Sequence, residues 1–71
     1  IILLILMVKV YIEKDNKNIE LEFNGKIIDL AKSLNVNIET VICVLNESVV
    51  NENTNIKNSD NIQFLSVISG G

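Results

Sequence analysis

Residues 8–34 read VKVYIEKDNKNIELEFNGKIIDLAKSL, and within them the spacing of apolar side chains changes from every second residue to every third or fourth. In VKVYIE, Val8, Val10 and Ile12 fall on one face and Lys9, Tyr11 and Glu13 on the other, the alternation of a half-buried strand. KDNKN is dense in turn formers. IELEF then alternates again, with Ile19, Leu21 and Phe23 inward and Glu20 and Glu22 outward, so the two segments predict an antiparallel hairpin. Gly25 breaks the second strand. Beyond it, Ile27, Leu30, Ala31 and Leu34 stand at i, i+3, i+4 and i+7, one apolar stripe of a helix. Asp29 in its first turn suits the helix dipole, and Asn35 is a natural left-handed stop.

Working outward, NIET predicts a short turn, and VICVLN is apolar on both faces, as expected of an interior strand or one that carries a contact surface. A turn at residues 46–48 leads into a short VV strand. NENTNIKNSD reads as a polar loop anchored by Ile56, and NIQFLSVIS as a last strand running out to Gly70 and Gly71. The order is strand, strand, helix, strand, short strand, strand. The helix and later strands make a crossover long enough for the first and last strands to lie side by side in parallel at the sheet centre. The pattern predicts an α+β fold of β-grasp (ubiquitin-like) topology, a mixed sheet of four to five strands with one main helix across it. The expected organisation is an apolar extension over residues 1–6, a domain over residues 7–69 and a diglycine tail at residues 70–71.

Composition narrows the function. The 71 residues hold six lysines, nine carboxylates and no histidine, for a formal net charge of −3. A chain this short buries only about 60% of its unfolded surface, too little to enclose a large active site. Nucleic-acid binding through phosphates calls for a basic face with arginine, and the chain has no arginine. Histidine, the commonest general base and metal ligand, is also missing, and one cysteine cannot form an internal disulfide or CxxC pair. The expectation is a protein with no catalytic residues, bound cofactor or metal of its own. Cys43, within VICVL, reads as a buried structural thiol. The opening IILLILMV is too short to span a bilayer and lacks the basic start of a secretory signal. The protein is expected to be cytoplasmic, with no membrane or nucleic-acid partner, and to start naturally at Met7; alternatively residues 1–6 prolong the first strand.

Two of three glycines stand at positions 70 and 71, which a flexible terminus alone would also explain. Their setting is more specific. The stretch VLNESVVNENTNIKNSDNIQFLSVISGG resembles the C-terminal half of the prokaryotic ubiquitin-like sulfur carriers. That family has a hydrophobic strand ending in Val-Asn-Gly, a Val-Val strand, a loop, an Asp before an alternating strand, and a terminal Gly-Gly. It includes the thiazole-synthesis carrier of thiamine biosynthesis, the small subunit of molybdopterin synthase and archaeal small modifiers, and the resemblance covers residues 7–71. Where the family usually has Asn-Gly the chain has Asn46-Glu47, and where it often has Asp-Gly-Asp the chain has Asn58-Ser59-Asp60. Without glycine those turns either use another geometry or carry strain of about 1 kcal/mol each.

The resemblance implies a carrier acting as co-substrate, not an enzyme. A partner of the ubiquitin-activating type, using ATP, would adenylate the Gly71 carboxylate, and sulfur from a cysteine desulfurase or rhodanese-like protein would convert it to a thiocarboxylate. The sulfur would then pass to thiazole synthase, to the molybdopterin synthase large subunit or to tRNA thiolation. Gly70 would let the tail thread a narrow channel, since a residue without Cβ allows close approach of the main chain. Leu65 and Val67, opposite the helix-facing Ile62 and Phe64, are expected to dock the partner, unless they merely cover the sheet or meet residues 1–6. Two other readings stand beside the carrier: a modifier joined through Gly71 to lysines of target proteins, and an interaction module whose diglycine is never activated.

Overall fold

A computed structural model describes residues 7–67 of the chain. Strand β1 (Val8–Ile12) pairs antiparallel with β2 (Lys17–Leu21), Val10 facing Ile19 and Ile12 facing Lys17. A 3-10 turn over Glu13–Asp15 joins them and ends at Asn16 in the left-handed region, φ 49°. The hairpin is the expected one, shifted: β1 stops before Glu13 and β2 stops before Phe23. The reason is tertiary, since the Phe23 N–H donates to the Asn58 side chain at 3.0 Å instead of continuing the ladder.

Two short strands, β3 (Gly25–Lys26) and β6 (Asn55–Ile56), form a separate antiparallel pair. Gly25 does not break the second strand, which has already ended at Leu21, but opens β3; its φ is +150°, and a Cβ there would lie 3.3 Å from the Phe23 ring. Helix α1 (Ile27–Ser33) follows, with Ile27, Leu30 and Ala31 buried. Seven residues are too few for a stable isolated helix, and both ends are completed from elsewhere. The loop carbonyls of Thr54 and Glu52 accept the N–H groups of Ile27 and Ile28. At the other end Asn35 has φ 64°, and the N–H groups of Asn35 and Val36 reach back to the carbonyls of Lys32 and Ala31. That is the Schellman arrangement, which satisfies carbonyls left open by the last turn.

After a 3-10 turn at Ile38–Thr40 come β4 (Val41–Leu45), β5 (Ser48–Val50) and, past β6, β7 (Asn61–Ser66). The main sheet has the order β2-β1-β7-β4-β5. β1 and β7 run parallel at its centre, Val10 beside Ile62 and Ile12 beside Phe64. Period-2 alternation sends Val8, Val10 and Ile12 from β1 and Ile62 and Phe64 from β7 to the same side, where they are buried with the helix stripe, Cys43 and Ile56. The fold is α+β, a five-stranded mixed sheet gripped by one helix, and its topology is β-grasp.

The two turns that lack glycine keep the geometry glycine would ease. Asn46 and Glu47 both have positive φ, 48° and 73°, between the paired residues Leu45 and Ser48. Ser59 has φ 77°. Of the two alternatives open from the sequence, these turns carry the strain.

Candidate functional site

The last strand leads from the sheet centre toward the diglycine, so its exit defines the site. β7 lies between β1 and β4, and the final backbone donors of the described chain are held on both sides. The Val67 N–H donates to the Thr40 carbonyl at 3.0 Å, one step beyond the Val41–Ser66 pair. The Ser66 N–H donates to the Glu13 carboxylate Oε1 at 2.7 Å. Thr40 is itself held: its hydroxyl donates to the Asn37 carbonyl at 2.9 Å, and the Asn37 side chain accepts the Glu39 N–H. Gly70 and Gly71, the expected attachment point and tail, lie outside the described residues, as does the extension over residues 1–6.

The face of the sheet away from the helix is built by the outward residues of the central strands. Leu65 is half-buried, and Val67 is 50% exposed. Leu65 sits opposite Ile42, which is 42% exposed, and Val44 sits opposite Val49, which is 74% exposed. The apolar patch therefore runs from the exit of β7 across β4 to the edge strand. Ile42, Val44 and Val49 complete a surface of which the sequence singled out only Leu65 and Val67. The signal for Ile42 and Val44 was the two-faced apolarity of VICVLN, whereas Val49 lies outside it, in the short strand that follows. Toward β2 the same face turns polar, a shallow depression of about 380 Å³ lined by side chains that include Lys9, Tyr11, Asn18 and Gln63.

Asn46 and Asp60, which flank β4 and β7, form a clamp that was not read from the sequence. The Asn46 side chain donates to the Asp60 carboxylate at 3.2 Å and accepts the Asn61 N–H at 2.9 Å. The other Asp60 oxygen accepts the Lys57 N–H at 3.0 Å. This ties the β4–β5 turn to the start of β7 and gives a structural reason for an Asp ahead of the alternating strand.

Cys43 is 5% exposed, in register with Phe64 and Val50. Burial, reinforced by the Glu52 carboxylate, pushes its thiol above the ordinary range, so at neutral pH it is protonated and a poor nucleophile. Among the described residues no group of three or more His, Cys, Asp and Glu side chains could hold a metal ion, and no helix is long and apolar enough to cross a membrane.

A search of curated proteins finds no match to this chain. The sequence model of the ThiS family matches residues 5–71, from ahead of β1 through the diglycine. With a β-grasp sheet whose central strand leads into Gly70-Gly71, and an apolar face beside that strand's exit, the chain belongs to the ThiS family of prokaryotic ubiquitin-like sulfur carriers.

Proposed function

We propose that the Gly71 carboxylate is the working group of this carrier: a partner enzyme adenylates it, and it becomes a thiocarboxylate that donates sulfur to thiazole formation in thiamine biosynthesis. The observation that carries the reading is the family match reaching through the diglycine. In the first step a carboxylate oxygen attacks the α-phosphorus of ATP and expels pyrophosphate, leaving an acyl-adenylate. The terminal sulfur of the donor protein's persulfide then attacks the acyl carbon and expels AMP. A thiol attacks the donor cysteine sulfur of the resulting acyl disulfide, releasing the thiocarboxylate and leaving a disulfide between the thiol and the donor. The carboxylate must reach a nucleotide bound in another protein, and a tail of two glycines is slender enough to enter a narrow channel. The catalytic groups belong to the adenylating enzyme, in keeping with a chain that has no histidine or arginine.

Docking falls to the face beside the exit. Leu65, Val67, Ile42 and Val49 offer apolar contact next to the tail, where recognition of the body and delivery of the carboxylate are coupled. Thiazole synthase is the proposed acceptor, and a cysteine desulfurase or rhodanese-like protein the proposed source of sulfur.

The test is ATP–pyrophosphate exchange with the cognate adenylating enzyme. Deleting Gly71, or adding one residue after it, should abolish exchange and leave the melting temperature nearly unchanged. One residue displaces the reacting carbon by more than about 3 Å, far outside attack distance. Intact mass measurement of protein from its own cells should show one oxygen exchanged for sulfur at Gly71. Full exchange without Gly71 would overturn the proposal, and Gly-Gly remnants on target lysines with no thiocarboxylate would replace it with the modifier reading.

A further inference from the structure

Glu13 occupies a position where the sheet changes its source of hydrogen bonds. In the β1–β7 register Lys9 stands beside Asn61 and Ile12 beside Phe64. The Lys9 N–H donates to the Asp60 carbonyl at 3.0 Å. Parallel ladders repeat this slanted bonding every two residues, so the acceptor next in line for the Ser66 N–H is the backbone carbonyl of Glu13. That carbonyl is already taken. It accepts the Asn16 N–H at 3.0 Å, closing the 3-10 turn that reverses the chain into β2.

The Glu13 side chain supplies the substitute, its Oε1 accepting the Ser66 N–H at 2.7 Å. One residue thus closes the hairpin with its main chain and extends the central ladder with its side chain. The extension matters for direction. On the β1 side the strand register ends at Phe64, while the β4 side holds the chain through Val67, and the Glu13 contact adds a hold on the β1 side two residues further along. With it, the Ser66 N–H is held toward β1 and the Val67 N–H toward Thr40.

We propose that Glu13 is a positioning residue for the C-terminal tail: its carboxylate fixes the direction in which the chain leaves the sheet, and so the aim of Gly71 into the adenylating site. This rests on the carrier reading above. The role requires an acceptor oxygen at that reach, not a negative charge, so glutamine should fulfil it and alanine should not. The contact is exposed, so its loss should cost the fold little.

The experiment compares the parent protein with Glu13→Ala and Glu13→Gln in ATP–pyrophosphate exchange, in thermal melting and in amide hydrogen exchange at Ser66. For Glu13→Ala the expected result is Ser66 exchange faster by about tenfold. Its kcat should fall about fivefold or more from lost orientation, with KM for the carrier unchanged because the apolar face is intact. The melting temperature should stay within about 7 °C of the parent, the shift expected from losing one exposed hydrogen bond in a domain of this size. Glu13→Gln should restore most of kcat and of the Ser66 protection. An unchanged kcat in Glu13→Ala would overturn the proposal, as would a loss of kcat that glutamine does not rescue, or a rise in KM alone. An active parent with an equally active Glu13→Ala defeats this inference and leaves the carrier reading standing; an inactive parent defeats both.

Discussion

Residue identity decides how much strain the turns hold. Glu47 at φ 73° and Ser59 at φ 77° sit where a side chain crowds the following carbonyl, at a cost of about 1–2 kcal/mol each. Asn46 shares the left-handed geometry, but its short amide side chain tolerates that region and is needed for the bonds to Asp60 and Asn61. Glycine at 47 would relieve the crowding and give back part of the gain through the greater freedom of the unfolded chain. Glu47→Gly should therefore raise stability by about 0.5–1 kcal/mol, and Ser59→Gly should do the same. The urea midpoint should rise in each variant with an unchanged slope. A fall in both midpoints would mean that these residues make compensating contacts in the folded chain.

Among the elements, α1 depends most on its surroundings. Its seven residues gain little from propensity, and its stability comes from burying Ile27, Leu30 and Ala31 and from the loop carbonyls at its N-terminus. Leu30 is fully buried. Leu30→Ala should cost about 2–5 kcal/mol from lost burial and the cavity left behind. Leu30→Asp should unfold the domain, since a carboxylate cannot be moved into that core cheaply. Circular dichroism melts check both; a cooperative transition near the parent's in Leu30→Asp would contradict the packing of the helix. The helix was legible because its stripe has a period the strands cannot mimic. Its companions β3 and β6 were not. Two residues long, they carry no period, and they exist because the segments on either side are pinned by the core.

At the scale of the whole molecule, the proposed carrier role gives the two faces of the sheet different tasks. One face is buried under the helix; the other presents apolar side chains from β4, β5 and β7 beside the exit of the tail. Substitution there should change encounter with the adenylating enzyme and leave the fold alone. Ile42→Asp and Val67→Asp should each raise KM in ATP–pyrophosphate exchange by about tenfold, the effect of roughly 1.4 kcal/mol at an apolar contact, with melting temperatures close to the parent's. Unchanged KM in both variants would place the docking surface elsewhere. An increase with Val67→Asp alone would confine it to the strand that leads to the tail.

The sequence by itself determined the kinds of element and their order, because alternation in VKVYIE and IELEF and the stripe from Ile27 to Leu34 follow from local geometry. It also determined most of the core, since the period that defines a face also defines what is buried, although Ile19, Leu21, Phe23 and Leu34, read onto the same faces, are only partly buried against it. Through the resemblance of its second half it pointed to the carrier family. Tertiary structure alone decided what depends on partners distant in the chain. The Glu13 contact to Ser66 spans 53 residues and the Asn58 contact to Phe23 spans 35, and neither leaves a local pattern. The same holds for Ile42 beside Leu65: each looks like an ordinary strand residue until the register of β4 against β7 places them side by side on the open face. Sequence period fixes the face on which a side chain lies, but its neighbour is fixed only when two strands meet in one register.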